Sequence, residues 1–125
     1  MNKKKIAVLL LMLLYGISMS FAREDEVINL QHIGHHGDHS EYYPPADMPE
    51  VYYDADNLEI IIVADGFSIY YNVDITSASG YVPLISTQID GYGDSIDVSS
   101  LPDGYYTITI TSSNNNQFEG TFYKY

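Results

Sequence analysis

The stretch from Asp94 to Thr111 constrains the fold more than any other part of the chain. Apolar residues occupy alternate positions in two short runs, which is the pattern of a β-strand with one buried face. In the second run they are Tyr106, Ile108 and Ile110. Between the runs, Leu101 to Gly104 predicts a turn, because proline presets φ and glycine accepts a positive φ. The stretch therefore predicts two strands joined by a turn.

The first 22 residues have the three-part layout of a secretory signal peptide. A basic start at Lys3 to Lys5 precedes an apolar run from Ile6 to Tyr15, and Ser20 and Ala22 supply small residues before a cleavage site. The alternative is a membrane anchor, but the run is shorter than the about 20 residues that span a bilayer. We expect an exported domain at residues 23–125, in the periplasm, at the cell surface or outside the cell, with no membrane span after cleavage.

The expected mature chain is strongly acidic. All 17 carboxylates lie within it, whereas Arg23 and Lys124 are its only Lys or Arg residues, a formal net charge of −15. This charge repels phosphate backbones and anionic lipid headgroups, so we expect no nucleic-acid partner. An unknown protein or glycan remains possible as a partner. The chain has no cysteine, which excludes disulfides and a lipid-modified cysteine.

Five further runs predict strands. We expect a first strand within residues 26–33 that buries Ile28 and Leu30, an edge strand at 50–54, and a central strand at 57–64 covered on both faces. Asp65 and Gly66 predict a hairpin to a strand at 67–75, and Pro83 predicts an edge strand at 81–89. The core face of the 67–75 strand would carry Phe67, Ile69, Tyr71, Val73 and Ile75.

The remaining segments read as turns, one loop and a last strand. We expect polar turns at 76–80 and 112–116, a glycine-rich loop at 90–94, and a long His/Pro-rich loop at 34–49. A closing strand at 117–125 would place Phe118 and Phe122 on one face. About seven short antiparallel strands and no helix predict an all-β, immunoglobulin-like β-sandwich. The alternatives are a small barrel or a sheet that pairs with another chain.

The order of these motifs resembles the small secreted proteins of domain-of-unknown-function family 3244. The matching motifs are a signal peptide, Ile28-x-Leu30, a Pro-containing loop, Leu58-x-Ile60, Val73-x-Ile75, the run from Ile96 to Ile108, and Phe118-x-Gly120-x-Phe122. The resemblance implies an immunoglobulin-like sandwich outside the cytoplasm and carries over no catalytic residues.

A weaker resemblance covers only Val98 to Ile110. This segment is similar to the end of C-terminal sorting domains that direct proteins to certain bacterial secretion machines. Those domains follow a large cargo and finish with basic residues, whereas this chain has no cargo and only Lys124 near its end. A sorting role is therefore disfavoured.

Four histidines lie within eight residues, at His32, His35, His36 and His39, together with Asp38 and Glu41. Imidazole and carboxylate groups suit zinc, copper or nickel. The alternative function is therefore that of a metal-binding protein that uses the segment 32–41. The spacing is not that of a structural zinc site, and a solvated linker explains it more simply. We therefore assign no metal-ligating residue and no cofactor.

Two groups of acidic residues are candidates for calcium, which prefers oxygen ligands. One comprises Asp54, Asp56 and Asn57, and the other Asp90, Asp94 and Asp97. Neither has the spacing of a loop that ends in a bidentate Glu. Ordinary turn chemistry explains both groups equally well.

Tyrosine is the most conspicuous residue of the expected domain. Twelve tyrosines follow the signal peptide, including the pairs 42–43, 52–53, 70–71 and 105–106. Neighbours in a strand face opposite ways, so one of each pair should be exposed and free to stack on a sugar or a partner side chain.

No nucleophile elbow, zinc-protease motif or phosphate loop occurs in the sequence. The sequence thus predicts an exported, non-catalytic binding or interaction module rather than an enzyme.

Overall fold

The computed structural model describes residues 25–33 and 44–125, and the strands within these ranges form two antiparallel sheets. A four-stranded sheet has the order β1-β3-β4-β7, and a five-stranded sheet has the order β2-β9-β8-β5-β6. The described residues form no helix, and hence none that could cross a membrane. The strands are β1 (Glu26–Ile28), β2 (Gln31–Ile33), β3 (Glu50–Asp54), β4 (Glu59–Val63), β5 (Tyr70–Ser77), β6 (Ile85–Asp90), β7 (Gly93–Asp97), β8 (Gly104–Ser112) and β9 (Gln117–Lys124).

The core lies between the inner faces of the two sheets. The alternation predicted for the second half of the 94–111 stretch is confirmed, because every second residue of β8 is buried, starting with Tyr106. Phe118 and Phe122 are buried on β9, as the closing-strand pattern predicts. The four-stranded sheet contributes Val51, Tyr53, Ile60, Ile62 and Ile96 from its own inner face. A sandwich rather than a small barrel is therefore confirmed.

The first predicted strand is two strands, because the chain changes sheets within it. β1 pairs with β3 in one sheet, and β2 pairs with β9 in the other. At the crossing, Asn29 and its neighbours pass directly over Gly120, where a Cβ would lie 2.8 Å from the Asn29 carbonyl oxygen. Ile28 is buried and Leu30 is only half-buried. Because Gly120 has no side chain, it leaves space for the chain to change sheets at this point.

The predicted hairpin at Asp65–Gly66 is wrong. Gly66 has the positive φ of a tight turn, +80°, but β4 and β5 belong to different sheets and do not pair. The strand begins at Tyr70, so Phe67 and Ile69 miss the predicted core face and are 62% and 84% exposed. Burying such side chains would stabilise the folded state by about 1.5–3 kcal/mol each. The exposed Phe67 and Ile69 do not contribute this free energy to folding.

Two further assignments within the four-stranded sheet are wrong. The segment 50–54 is not an edge strand, because β3 lies between β1 and β4. β4 is central but is not covered on both faces, since Ile60 and Ile62 are buried whereas Val63 is exposed. Its outer face meets no second layer among the described residues. In the five-stranded sheet, β6 does lie at an edge, as predicted, and Pro83 precedes it.

The turn at 101–104 joins β7 of one sheet to β8 of the other. The Tyr106 hydroxyl donates a hydrogen bond back to the carbonyl oxygen of Pro102, four residues upstream. This is the tyrosine corner found in immunoglobulin-like sandwiches. The polar turn at 112–116 joins β8 and β9 as predicted, with Asn115 at a φ of +67°.

Candidate functional site

The tyrosine pairs divide between core and surface, as the strand pattern predicts. Tyr71 is 1% exposed and its neighbour Tyr70 is 36% exposed, while Tyr106 is buried and Tyr105 is 66% exposed. Tyr53 is buried beside the half-buried Tyr52. The pair 42–43 lies outside the described residues. The strand period therefore supplies a set of tyrosines that face outward.

Three outward tyrosines lie side by side at one end of the sandwich, and we call Tyr105, Tyr123 and Tyr125 the tyrosine cluster. Tyr105 on β8 lies opposite Tyr123 on β9, with ring centroids 4.7 Å apart in an edge-to-face arrangement. The Tyr123 ring stacks on that of Tyr125 at 6.1 Å. Tyr123 and Tyr125 are 41% and 43% exposed. The cluster is therefore a continuous, partly exposed aromatic surface.

Hydrogen bonds hold the last tyrosine of the cluster in place. The Tyr125 hydroxyl donates to Oε1 of Glu26 at 2.6 Å, which ties it to the edge of the other sheet. Its backbone N–H donates to the buried Tyr53 hydroxyl at 3.3 Å, and that hydroxyl in turn donates to the Tyr125 carbonyl oxygen at 3.1 Å. An aromatic ring fixed in this way loses little conformational entropy when it binds a ligand.

A row of threonines lies beside the cluster on the outer face of the five-stranded sheet. Thr107 on β8 is paired with Thr76 on β5 and with Thr121 on β9. This row is two residues along from the Tyr105–Tyr123 pair, on the same face, because strand side chains alternate with a period of two. Hydroxyl groups that donate and accept hydrogen bonds therefore adjoin the aromatic surface.

A groove of about 580 Å³ adjoins Tyr105. The loop after β5 and the turn before β8 form its walls, and it also meets Tyr106. Asp103 lines it and makes an ion pair with Lys124 at 3.4 Å. Nothing in the sequence pattern indicated this groove, because its two walls are about 20 residues apart in the chain and meet only in the folded sandwich. Its remaining lining residues are Ser77, Ala78, Ser79, Leu84, Pro102 and Gly104.

The Asp54 group is a turn rather than a cation site. Asp54 Oδ1 accepts hydrogen bonds from the backbone N–H groups of Asp56 and Asn57, and its Oδ2 accepts one from the Asn57 side chain at 2.7 Å. The Asn57 side-chain bond, with the backbone bonds, holds the pKa of Asp54 below its usual value against the opposing effect of burial. The carboxylate is therefore engaged in closing the β3–β4 turn.

The second acidic group does not converge. Asp94 and Asp97 are three positions apart on β7, so they face opposite ways. Asp90 accepts a hydrogen bond from the Tyr92 N–H, and Asp97 accepts one from the Ser99 N–H at 2.9 Å. The latter bond holds the pKa of Asp97 below its usual value. Asp54, Asp90 and Asp97 thus accept hydrogen bonds in local turns.

The histidine segment reaches the described structure only at His32. This residue lies on β2, is half-buried, and its ring packs against Phe118 with centroids 5.5 Å apart. The other members, His35, Asp38, His36, His39 and Glu41, lie outside the described residues. Among residues 25–33 and 44–125, no group of three or more His, Cys, Asp or Glu side chains could hold a metal ion. Metal binding by the segment 32–41 stays a prediction.

A buried carboxylate, which the sequence pattern did not indicate, lies at the opposite end of the sandwich. Asp47 is 4% exposed, and its oxygens accept hydrogen bonds from the side chains of Asn114 and Asn116. Burial raises its pKa, but the hydrogen bonds from Ser112, Asn114 and Asn116 outweigh that effect and hold the pKa below its usual value. The Asp47 carbonyl oxygen also accepts the Tyr71 hydroxyl at 2.6 Å. This network anchors the loops at that end.

Comparison with known proteins supports the fold. No protein-family model and no curated protein matches the chain. Among solved structures, the chain is similar to a DUF3244 family protein with an immunoglobulin-like β-sandwich fold from Bacteroides vulgatus. The two share 16% identity over 82% of this chain and 100% of that one, with a TM-score of 0.60. The family resemblance seen in the motifs is thus confirmed at the level of the fold: the chain is an immunoglobulin-like β-sandwich like that of a DUF3244 protein.

Proposed function

We propose that this protein is an exported, non-catalytic binding module that takes a neutral glycan on the tyrosine cluster. The observation that carries the proposal is the continuous surface formed by Tyr105, Tyr123 and Tyr125. Aromatic rings with a polar handle suit ligands that are apolar on one side and wet on the other, as sugar rings are. The adjacent threonine row offers the hydrogen-bonding groups that such a ligand needs.

The charge of the module favours a neutral ligand. In the described residues, Lys124 is the only Lys or Arg, and it is 6% exposed. An anionic polysaccharide would meet carboxylates without compensating cations. Neutral sugars avoid this repulsion and can still stack on the rings.

Isothermal titration with cello-, xylo- and malto-oligosaccharides tests the proposal. We expect one of these series to bind the purified protein and Tyr105→Ala or Tyr123→Ala to weaken that binding at least about tenfold, as for an aromatic hot spot. Tyr92→Ala is the matched control, because Tyr92 is 72% exposed but lies at the opposite end of the sandwich. Binding that survives both cluster variants, or no binding in any series, would overturn the glycan assignment.

Export rests on the layout of residues 1–22 and has its own test. We expect mass spectrometry of the protein from intact cells and medium to find a chain that begins at Arg23. A chain that keeps Met1 in the cytoplasm would contradict export without affecting the binding assignment.

A further inference from the structure

A second exposed surface lies at the end of the sandwich opposite the tyrosine cluster. We call Phe67, Ile69 and Tyr92 the apolar tip; they are 62%, 84% and 72% exposed. The tip lies on two segments joined by backbone hydrogen bonds, from Gly66 N–H to the Gly91 carbonyl and from Gly91 N–H to the Ile69 carbonyl. These segments connect the two sheets, so the tip is part of the folded sandwich.

The first of these segments, residues 66–69, has an inverted polarity: its apolar side chains are exposed and its serine is buried. Phe67 and Ile69 face solvent, while Ser68 between them is 2% exposed. The Ser68 hydroxyl donates to the Tyr70 carbonyl at 2.8 Å and lies 2.7 Å from the Ser113 hydroxyl. A segment that folded only for stability would bury its two apolar side chains and expose the serine.

Dedicated contacts hold the inverted segment in this position. The Ile69 N–H donates to the Ser113 hydroxyl at 2.8 Å, and the Asn114 side chain donates to the Phe67 carbonyl at 3.0 Å. The Tyr92 ring packs on Gly66, where a Cβ would come within 2.7 Å of the ring. A fixed apolar tip is the kind of surface that inserts into a partner, because little order is lost on binding.

The charges around the tip indicate the chemistry of that partner. Exposed carboxylates border it at Asp65, Asp90 and Asp94, and Lys124, the single Lys or Arg of the described ranges, lies at the other end. An anionic membrane or a second acidic copy of this chain would be repelled. We propose that the apolar tip docks into a protein partner whose apolar groove is bordered by lysine or arginine.

NMR titration of the purified, ¹⁵N-labelled protein tests this proposal. The probe is a short blocked peptide in which leucine and lysine alternate, and the control peptide has glutamate in place of lysine. We expect saturating amide shifts confined to residues 66–70 and 91–93 with the lysine peptide. Phe67→Ser together with Ile69→Ser should weaken binding at least about tenfold and leave the fold intact. Val82→Ser is the matched control, since Val82 is also exposed but lies near the other end.

Other outcomes overturn the proposal. A protein partner with a basic-rimmed apolar groove would be excluded by any of three results. These are amide shifts outside the tip, equal binding of the glutamate peptide, and no binding of the lysine peptide. Binding to phosphatidylcholine vesicles that the double variant abolishes would assign the tip to a membrane instead. Concentration-dependent dimers that the double variant abolishes would assign it to a second copy. Tyr105→Ala should leave the peptide titration unchanged, so this test is independent of the glycan assignment.

Discussion

The Tyr53 hydroxyl on β3 joins the chain's last residue to the opposite sheet, because it both donates to the Tyr125 carbonyl at 3.1 Å and accepts from the Tyr125 N–H at 3.3 Å. Tyr53 is fully buried, and its ring also packs against Phe122 with centroids 5.6 Å apart. The end of β9 is thus a structural link between the two sheets.

We expect Tyr53→Phe to lower the free energy of unfolding by about 0.5–1.5 kcal/mol, the usual net value of such a hydrogen bond. Urea unfolding measures it. Tyr52→Phe is the control, since its hydroxyl bonds to the Glu50 carboxylate at the surface and should matter less. Equal effects of the two variants would contradict the link.

Deleting residues 122–125 should destabilise more strongly, by at least about 3 kcal/mol, because it removes the buried Phe122 ring as well as the link. A thermal melt compares the shortened and full chains. A shortened chain with an unchanged melting temperature would refute the role assigned to the end of β9.

Gly120→Ala should destabilise the protein by about 1–3 kcal/mol, the usual cost of overpacking. The added Cβ would lie 2.8 Å from both the Asn29 carbonyl oxygen and the Ile28 Cγ2, at the point where the first strand changes sheets. Gly80→Ala is the control, because its Cβ would meet nothing closer than 3.5 Å. Chemical denaturation of both variants checks the difference, and a neutral Gly120→Ala would mean that the crossing can shift.

Tyr106→Phe should cost about 0.5–1.5 kcal/mol of unfolding free energy, because it removes the hydroxyl that bonds to the Pro102 carbonyl. Tyr105→Phe alters an exposed hydroxyl one residue away and should be close to neutral. The same denaturation measurement applies, and a Tyr106→Phe variant as stable as Tyr105→Phe would show that the tyrosine corner contributes nothing here.

Asp47 should make the unfolding free energy depend on pH. Its hydrogen bonds hold its folded pKa below the usual value despite burial, so folding favours the ionised form. The resulting stabilisation is complete above the ordinary aspartate pKa of about 3.9 and is lost as the pH falls through the folded pKa. Stability should therefore decline below about pH 4. In Asp47→Asn the decline should be shallower than in the parent protein. An equally steep decline of the unfolding free energy in both proteins would contradict the role assigned to Asp47.

The alternation of apolar and polar residues allowed most strands and most core side chains to be predicted. Val73, Ile75, Ile108, Ile110 and Phe118 are fully buried, because a strand with a period of two must turn one face to the interior. The same period turned one tyrosine of each described pair outward, so the candidate site's residue type was predictable from sequence.

The partition of strands between two sheets was decided only by the tertiary structure. A period of two specifies which side chains of a strand share a face, but not which other strand lies beside that strand in a sheet. Asp65–Gly66 and Asp103–Gly104 therefore read alike as turns, although both carry the chain across the sandwich. For the same reason, the sequence pattern did not predict that the chain changes sheets at Asn29.

The all-β class, the buried alternation and the outward tyrosines follow from the amino-acid order alone, because they depend on neighbours along one strand. Two further features depend on contacts between distant segments: Tyr105, Tyr123 and Tyr125 form one surface, and Phe67 and Ile69 face solvent. Cross-strand pairing sets the first, since Tyr105 and Tyr123 are 18 residues apart yet directly opposite. Two hydrogen bonds set the second and override the local hydrophobic pattern: the Ile69 N–H donates to the Ser113 hydroxyl, and the Asn114 side chain donates to the Phe67 carbonyl oxygen.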